Sequence, residues 1–445
     1  MKLLLIMADA NIHVLRIGSY TRSFREAPLT LTSLAALVPD ELKADITLID
    51  ESVEQIDFEE FHDVDLVGIS VLTGTAVRAY EIADKFRSLS IPVVLGGVHV
   101  SIYPDEAARH ADTVIVGFAE ASWPQCLSDF QNGHLKKRYV SANEGEIENL
   151  PNARRDLQRN FRYMMPNTVM ATRGCSHRCD FCSVPVVCKG VYQRPVEDII
   201  NEIRTLKGKR ICFNDVNIAD DPDYAKALFE ALIPLKKTWG GLATISVTRD
   251  REMMELLKRS GCKYLLIGFE SFSQNTLKNI RKGFNKVREY AQAMKSMHEA
   301  GIIVQGCFVF GFDNDDKSVF KMTVEKVAEL KIDIPRYAVY TPYPETDLFK
   351  RLEKEGRILT KDWNKYDTQH VVFQPVQMSP QELYNGFRRA FRETFKISSI
   401  ARRTLRSSLD FPITFVGNLA YKLYIKRLYK EPSPAFSCQA RRERG

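Results

Sequence analysis

The stretch 171-ATRGCSHRCDFCSVP-185 carries three cysteines, Cys175, Cys179 and Cys182, within eight residues. Their spacing, C-x3-C-x2-C, puts three thiols on one short loop, whereas the other six cysteines of the chain are scattered. Close spacing of this kind lets a single segment wrap an iron–sulfur cluster. A four-iron cubane takes one ligand per iron, so three cysteines leave one iron open to a ligand that is not protein. An open coordination position is typical of catalytic metal sites.

Zinc is the alternative occupant of this loop, with His177 or Cys188 as a fourth ligand. Zinc motifs usually come as two paired knuckles, and the sequence has no second pair. His177 is instead expected to face solvent. An odd total of nine cysteines in 445 residues argues against a disulfide scaffold. The apolar N-terminal run ends at Asp9 without a cleavage site, and no run is long enough to cross a membrane, so a cytoplasmic protein is expected.

Residues 1–140 alternate short apolar runs with helical patterns. Continuous apolar strands separated by helices are typical of a parallel sheet covered on both faces. Right-handed crossovers then predict a doubly wound, Rossmann-like α/β sheet that binds its ligand at the carboxyl ends of the strands. Strands are predicted at 3–7, 44–50, 65–72, 92–97 and 112–117, and helices at 27–39 and 76–89.

A second strand–helix series follows a polar linker at 141–165. Six β–α units predict a partial (β/α)6 barrel of the TIM type, with its chemistry on the loops that follow the strands. The cysteine loop follows the first of these strands. Strands are predicted at 167–174, 210–215, 241–248, 264–271, 302–311 and 336–342, with helices such as 196–207 and 288–301 between them.

The predicted domains are therefore 1–140, a barrel at 166–365 and a helical basic region at 366–445. Residues 387–445 carry 14 Lys/Arg and 4 Asp/Glu, a net charge of +10, which leaves the rest of the chain near −3. Basic amphipathic helices can lie on an anionic membrane surface, or they can cover the barrel with a solvated basic face. No recognisable nucleic-acid-binding module accompanies the basic charge, so no nucleic-acid partner is expected.

The pattern C-x3-C-x-aromatic-C, met by Cys175, Cys179, Phe181 and Cys182, resembles that of the radical S-adenosylmethionine (SAM) enzymes. The resemblance covers roughly residues 165–345. It implies that the three cysteines hold a 4Fe–4S cluster whose open iron chelates the amino and carboxylate groups of SAM. An external one-electron donor then drives the cleavage of SAM to methionine and a 5′-deoxyadenosyl radical, which abstracts a hydrogen atom.

Other barrel positions resemble the SAM contacts of that family. Ser246, expected on the third strand, would hold the ribose, and Glu270, at the end of the fourth strand, would add a polar contact. The run 308-FVFGF-312, which contains Gly311, resembles the fifth-strand segment that lies along adenine. Ser246 and Glu270 also have structural interpretations, as an ordinary strand serine and a satisfied carboxylate.

The first domain resembles the cobalamin-binding domain that precedes many radical SAM barrels. Ser70-Val71-Leu72 matches the S-x-L element of that domain, and Gly96-Gly97 matches its G-G element. A small hydroxyl and residues without side chains let a large ligand approach the strand ends. The resemblance implies that Ser70, Leu72, Gly96 and Gly97 contact cobalamin.

The first domain also departs from that pattern. The D-x-H-x-x-G motif that supplies an axial histidine is absent, because Asp9, His13 and Gly18 have the wrong spacing. The V-x-G-E-G-E end of the fifth strand has lost one acid in the segment that ends at Glu120. His13 and His99 are expected to be loop residues and not cobalt ligands.

The resemblance implies a methyltransferase that acts on an unactivated carbon, with one SAM methylating cobalamin and a second supplying the radical. Substrates of similar proteins are lipids, tetrapyrroles and secondary metabolites, and the basic tail favours a hydrophobic small molecule. The alternative enzyme is a cobalamin-free radical SAM oxidoreductase or cyclase. A non-catalytic iron–sulfur protein is a third interpretation, which the open iron argues against.

Overall fold

The computed structural model describes residues 1–9, 14–17, 20–141, 147–404 and 411–428. Packing divides the chain into two compact units. The first consists of Met1–Ser176 and Ser183–Asp215, and the second of His177–Cys182 and Val216–Gly445. This division separates two packed bodies and does not test the predicted domain limits, which stay predictions.

The first unit contains a large parallel sheet and two smaller sheets. Its strands are β1 (Lys2–Met7), β2 (Val14–Ile17), β3 (Tyr20–Glu26), β4 (Asp45–Asp50), β5 (Leu66–Ser70), β6 (Val93–Gly96), β7 (Thr113–Val116), β8 (Arg138–Val140), β9 (Tyr163–Met165), β10 (Thr168–Val169), β11 (Thr172–Gly174), β12 (Val191–Gln193) and β13 (Arg210–Phe213). Its helices are α1 (Leu29–Ala36), α2 (Ala76–Ser88), α3 (Val98–Ile102), α4 (Pro104–Ala107), α5 (Ala119–Gln131), α6 (Val184–Val187) and α7 (Val196–Thr205).

The large sheet is parallel throughout and has the strand order β4-β1-β5-β6-β7-β8. The chain runs from β1 outward to β4 and then returns to β5 on the other side of β1. The carboxyl ends of β1 and β5, where Met7 is in register with Ser70, are therefore a topological switch point, the usual ligand position of such sheets. The predicted doubly wound sheet is confirmed, and the structure adds the short strand β8.

Apolar side chains cover both faces of this sheet. Leu3 and Leu5 of β1 pack with Leu31 of α1 and Trp123 of α5, while Leu4 points the other way and is also fully buried. The Trp123 indole N–H donates to the carbonyl of Leu34 at 3.1 Å. Burial on both faces explains why these strands are continuous apolar runs.

The strand predicted at 167–174 is divided in the structure. β10 pairs with β13 in parallel, whereas β11 pairs with β12 in antiparallel fashion. The buried Asp215 carboxylate causes the break, because it accepts hydrogen bonds from the N–H groups of Ala171 and Thr172 and from the Thr172 hydroxyl. These N–H groups are therefore not available to a continuous ladder.

The second unit begins its own strand–helix series. Its strands are β14 (Thr238–Ala243), β15 (Cys262–Glu270), β16 (Ile303–Phe310) and β17 (Ile334–Val339), paired in parallel and in sequential order. Its helices are α8 (Pro222–Leu232), α9 (Arg251–Arg259), α10 (Gln274–Asn279), α11 (Tyr290–Glu299), α12 (Val319–Glu329), α13 (Asp347–Lys354), α14 (Pro380–Thr394), α15 (Ile397–Thr404) and α16 (Phe411–Leu428). Of the six strands predicted for the partial barrel, two are β10 and β13 in the first unit, and four are β14 to β17 in the second.

The third predicted barrel strand is misplaced by several residues. The sequence predicts a strand at 241–248, but β14 ends at Ala243 and a 3-10 helix spans Ile245–Arg249. Ser246 therefore lies after the strand and not on it. The apolar run Gly241–Val247 does not distinguish the end of a strand from the buried turn that follows, because both are buried.

The C-terminal region is helical, as predicted. A capping box of Ser379 and Glu382 starts α14, which buries Phe387 and Phe391 and exposes Arg389 on its opposite face. Among the residues that the structure describes, no helix combines the length and apolar character needed to cross a bilayer.

Candidate cluster and cofactor sites

The three cysteines of the predicted cluster lie on the loop between β11 and α6. The loop starts after Gly174, whose φ is +95°, and a Cβ there would lie 1.9 Å from the carbonyl oxygen of Gly190. Only glycine fits that close approach. Further on, the Cys182 N–H donates to the carbonyl of Cys179 at 3.1 Å, which closes a tight turn. The backbone is thus constrained just before Cys175 and again between Cys179 and Cys182.

A buried cation lies beside the later two cysteines. The Lys282 ammonium is 2.8 Å from the Glu270 carboxylate, and both side chains are buried. Burial alone would lower the pKa of Lys282, but Glu270 and the thiols of Cys179 and Cys182 raise it above its usual value. Burial raises the pKa of the Cys179 thiol to about 11, an effect that Lys282 opposes. Lys282 therefore favours the thiolate that iron needs.

The residues considered for zinc have other contacts. His177 is half-buried, not fully solvent-facing as predicted, and stacks on Phe284 with ring centroids 3.8 Å apart. Burial lowers the pKa of His177. The Cys188 thiol donates to the carbonyl of Gly190 at 3.3 Å. Across the described part of the chain, no group of three His, Cys, Asp or Glu side chains converges on one ion, and a cubane needs no such convergence.

Glu270 ends β15 in an unusual backbone conformation. Its φ is +63°, in the left-handed region that a residue with a side chain adopts only at a cost. One carboxylate oxygen faces Lys282, so the structural interpretation of Glu270 has a physical basis. Strained residues at strand ends are frequent in functional sites, so the same geometry is compatible with a SAM contact.

Ser246 belongs to a polar group at the end of β14. Its hydroxyl is 2.5 Å from that of Thr244, and the Thr244 N–H donates to the side-chain oxygen of Asn217 at 3.2 Å. The Asn217 amide in turn donates to Asp220 at 2.8 Å. These side chains form a hydrogen-bonded row at the position expected for ribose recognition, although Ser246 reaches it from the 3-10 helix.

The turn after β16 is fixed by a carboxylate that sequence reasoning missed. Asp315 accepts hydrogen bonds from the N–H groups of Gly311 and Phe312, at 3.0 and 3.1 Å. Burial raises the pKa of Asp315 to about 7. Gly311 has a φ of +101°, so the backbone turns immediately after the segment predicted to lie along adenine.

The predicted cobalamin contacts meet at the strand ends of the large sheet. Ser70 is in register with Gly96 on the neighbouring strand, and it is buried. Gly97 has a φ of +105°, and a Cβ there would lie 2.8 Å from the carbonyl oxygen of Val71 and 3.2 Å from the Ser70 hydroxyl. Leu72 extends beyond the strand and is 46% exposed, which is available apolar surface for a ligand.

One histidine of the first unit is placed differently from expectation, and the position of the lost acid is taken by an aromatic residue. His99 is not a loop residue but lies in α3, fully buried, with its Nε2 3.1 Å from Glu106; His13 lies outside the described residues. Burial lowers the pKa of His99. Phe118 stands where the V-x-G-E-G-E pattern has its first acid, and its ring lies 4.4 Å from the Arg173 guanidinium, which also pairs with Glu120 at 2.5 Å.

Both implied cofactors fit the residues present. Three soft thiol donors on one short loop, with a buried cation beside two of them, suit a cubane cluster more than a hard cation. At the strand ends of the large sheet, Gly97 lets the chain pass close to Val71 and the Ser70 hydroxyl, where a Cβ would clash, and Leu72 leaves apolar surface exposed for a large ligand. Lys282 and Arg173 were not found from the sequence, because their partners lie on other segments of the chain. Asp315 binds Gly311 and Phe312 a few residues earlier, but it belongs to no recognised motif.

Comparisons with known proteins agree with this architecture. Residues 169–327 match the radical SAM superfamily, residues 17–127 match the B12 binding domain, and residues 346–414 match a domain of unknown function, DUF4070. In fold, the chain is similar to the radical SAM methyltransferase TsrM from Kitasatospora setae, solved with cobalamin and a 4Fe–4S cluster. The TM-score is 0.70 at 14% identity, over 96% of this chain and 99% of that one.

Two curated relatives from Chlorobaculum tepidum extend over most of the chain. Bacteriochlorophyllide d C-12(1)-methyltransferase is 31% identical over 410 residues, which cover 88% of this chain and 87% of that protein. Bacteriochlorophyllide d C-8(2)-methyltransferase is 30% identical over 420 residues, which cover 89% and 91%. The chain therefore belongs to the radical SAM superfamily, as an enzyme with a B12-binding domain whose cofactors are a 4Fe–4S cluster, SAM and cobalamin.

Proposed function

We propose that this enzyme transfers a methyl group to an unactivated carbon of a tetrapyrrole. The observation that carries the proposal is the 31% identity, along 88% of the chain, to a protein named for methylating bacteriochlorophyllide d. A second relative named for another position of the same molecule supports it. Lipids and secondary metabolites remain the wider substrate class. The basic tail, which favoured a lipid, has no comparable support.

Each cofactor is assigned to residues on the cysteine loop, at the ends of strands or in the turns that follow them. Bound together, the cluster and SAM would supply a radical that removes a hydrogen atom from the substrate, and cobalamin would carry the methyl group. The proposed ligands of the cluster are Cys175, Cys179 and Cys182. The residues proposed to contact SAM are Phe181, Ser246, Glu270 and Gly311, and those proposed to contact cobalamin are Ser70, Leu72, Gly96 and Gly97.

The chain itself contributes positioning and charge. Lys282 offsets negative charge beside two cluster thiolates, and its partner Glu270 is held at a fixed strand end. Asp315 stabilises the turn at Gly311 by accepting hydrogen bonds from the N–H groups of Gly311 and Phe312. Gly97, just after β6, lets the backbone pass close to Val71 and Ser70 at the end of β5.

Cluster ligation is tested with a matched pair of cysteine variants. Anaerobically reconstituted wild type should bind about four irons and, with dithionite, cleave SAM to 5′-deoxyadenosine. Cys179→Ala should lose both properties, whereas Cys188→Ala should keep them, because the Cys188 thiol is expected to contact only protein. Equal SAM cleavage by Cys179→Ala and wild type would reject the assignment. Zinc binding that Cys188→Ala abolishes would establish the zinc alternative.

Methyl transfer is tested with SAM that carries a deuterated methyl group. Incubation with a bacteriochlorophyllide should give a product whose mass rises by one labelled methyl group, and only with enzyme purified from cobalamin-supplemented cells. No corrinoid uptake, combined with SAM cleavage and an unmethylated but altered tetrapyrrole, would instead establish the cobalamin-free oxidoreductase or cyclase.

Two further partners are part of the proposal. An external one-electron donor is required, because none of the protein side chains supplies the electron. Peripheral contact with an anionic membrane is supported by exposed basic residues of α14, of α15 and of the short connection between them: Arg389, Arg392, Lys396 and Arg402. Replacing all four with Gln should lower sedimentation with anionic vesicles and leave that with neutral vesicles unchanged. Unchanged sedimentation with both would end the membrane proposal.

A further inference from the structure

One residue inside the cysteine loop is held by parts of the second unit that are far away in sequence. Asp180 follows Cys179 directly, and only about a tenth of it is exposed. One of its carboxylate oxygens accepts a hydrogen bond from the Tyr340 hydroxyl at 2.7 Å. Tyr340 follows β17, 160 residues later in the chain. A carboxylate in such surroundings needs its donors, since an unsatisfied buried charge is costly.

The backbone of Asp180 is held on both sides. Its N–H donates to the carbonyl of Ile280, just after α10, at 3.3 Å. Its carbonyl accepts from the N–H of Leu348 in the first turn of α13, at 2.9 Å. The main chain between Cys179 and Phe181 is thus fixed independently of the side chain, and the Asp180 carboxylate takes its one described hydrogen bond from Tyr340.

The Tyr340 ring connects two segments assigned to SAM. Its centroid is 5.8 Å from that of Phe181, the aromatic residue of the cysteine motif, in an edge-on arrangement. It is 4.6 Å from the ring of Phe312, which follows Gly311. The Tyr340 N–H donates to the carbonyl of Phe310 at 2.9 Å, so the ring projects from a fixed backbone position.

A small cavity of about 40 Å³ lies against this pair. Asp180 and Thr276 are among the residues that line it. The second Asp180 oxygen, Oδ1, and the Thr276 hydroxyl are buried, and neither has a hydrogen-bond partner among the described residues. The positive charge in the lining, Arg351, is already paired with Asp313 at 2.6 Å. The volume of the cavity suffices for one water molecule.

We propose that Tyr340 is a positioning residue for the cysteine loop, acting through the Asp180 carboxylate, with an ordered water between Asp180 and Thr276. The hydroxyl orients the residue between Cys179 and Phe181, while the ring supports Phe181 and Phe312. This inference rests on the proposed assignment of the cysteines as cluster ligands, but it does not depend on methyl transfer or on the substrate.

The test separates the hydroxyl from the ring. Tyr340→Phe keeps the aromatic packing and removes only the donor to Asp180. Its iron content should equal that of wild type, whereas the EPR spectrum of the reduced, SAM-bound cluster should broaden and shift. The rate of SAM cleavage should fall about tenfold, the size expected when a buried charged hydrogen bond is lost.

The matched control is Tyr366→Phe, which also removes a buried tyrosine hydroxyl, one that donates to the Thr360 carbonyl at 2.8 Å. It should leave the EPR spectrum unchanged. Asp180→Asn, which keeps an acceptor for Tyr340, should resemble wild type more than Asp180→Ala does. In the Asp180→Ala background, Tyr340→Phe should have no further effect.

The outcomes are distinguishable. If wild type binds no cluster, the cysteine assignment fails. If wild type is active and Tyr340→Phe shows the same EPR spectrum and rate, the positioning role fails alone. The positioning role would also be overturned if Tyr366→Phe changed the EPR spectrum and the rate of SAM cleavage as much as Tyr340→Phe does. Full additivity of the effects of Tyr340→Phe and Asp180→Ala in the double variant would overturn it as well. An anaerobic crystal structure with no density between Asp180 and Thr276 would reject the water.

Discussion

Replacing Lys282 with Met should destabilise the second unit even when no cofactor is bound. The change leaves the Glu270 carboxylate buried without its cation, and the two side chains are only 12% and 8% exposed at a separation of 2.8 Å. Removing one partner of such a pair typically costs about 3–5 kcal/mol, mostly because the remaining charge is uncompensated. At a denaturant slope of about 3 kcal/mol per molar urea, the unfolding midpoint should fall by about 1–1.7 M.

The assay is urea unfolding of the cluster-free protein, followed by tryptophan fluorescence in a Trp123→Phe background. The remaining tryptophans, Trp239 and Trp363, both lie in the second unit. The double variant Lys282→Met/Glu270→Gln removes both charges and should recover most of the lost stability. A midpoint for Lys282→Met equal to that of its background, or a double variant no more stable than Lys282→Met, would refute the reasoning.

Three further predictions concern other buried groups. Gly97→Ala should lower cobalamin retention and destabilise the first unit, because the new Cβ meets the Val71 backbone at 2.8 Å. The control Gly133→Ala, at a glycine with a φ of +73° and open space around it, should retain cobalamin. Equal cobalamin retention by the two variants would contradict the steric argument. Glu202→Gln should lower the thermal midpoint by an amount equivalent to about 3–5 kcal/mol, because the Glu202 carboxylate lies 2.6 Å from both Arg155 and Arg194. The control Glu197→Gln, at an exposed position, should leave the thermal midpoint almost unchanged. Burial raises the pKa of Asp315 to about 7, above its unfolded value of about 3.9. Its stabilising contribution is therefore complete below about pH 4 and is lost as the pH rises towards 7. Urea midpoints measured between about pH 4 and 8 should show this loss in wild type and not in Asp315→Asn, and parallel pH profiles of the two proteins would disprove the prediction.

The sequence was sufficient for the large elements because their apolar runs follow directly from burial. Strands such as β1 and β5, covered on both faces, are uninterrupted runs of apolar residues, and their alternation with helices fixes a parallel sheet. The segment 167–174 could not be divided in advance. Its break depends on Asp215, which binds the backbone of Ala171 and Thr172 from about 44 residues away.

The candidate site shows the same limit at the level of single residues. The cysteine spacing could be interpreted locally, because all three proposed ligands lie on one loop. Lys282 and Tyr340 act through partners on other segments, and only the folded chain brings them to Glu270 and Asp180. Periodicity and motif spacing contain no information about such pairs.

Just after β7, Phe118 occupies a position where the family pattern has an acidic residue, and its contacts give a physical reason for the difference. Phe118 replaces a carboxylate, but its ring contacts the Arg173 guanidinium at 4.4 Å and the ring of Tyr192 at 5.8 Å. Glu120, the acid that remains, pairs with the same arginine at 2.5 Å. Arg173 lies two residues before Cys175, so the end of β7 holds the strand that leads into the cysteine loop. A second carboxylate at 118 would put another charge beside an arginine already neutralised by Glu120, whereas an aromatic ring adds contact without adding charge.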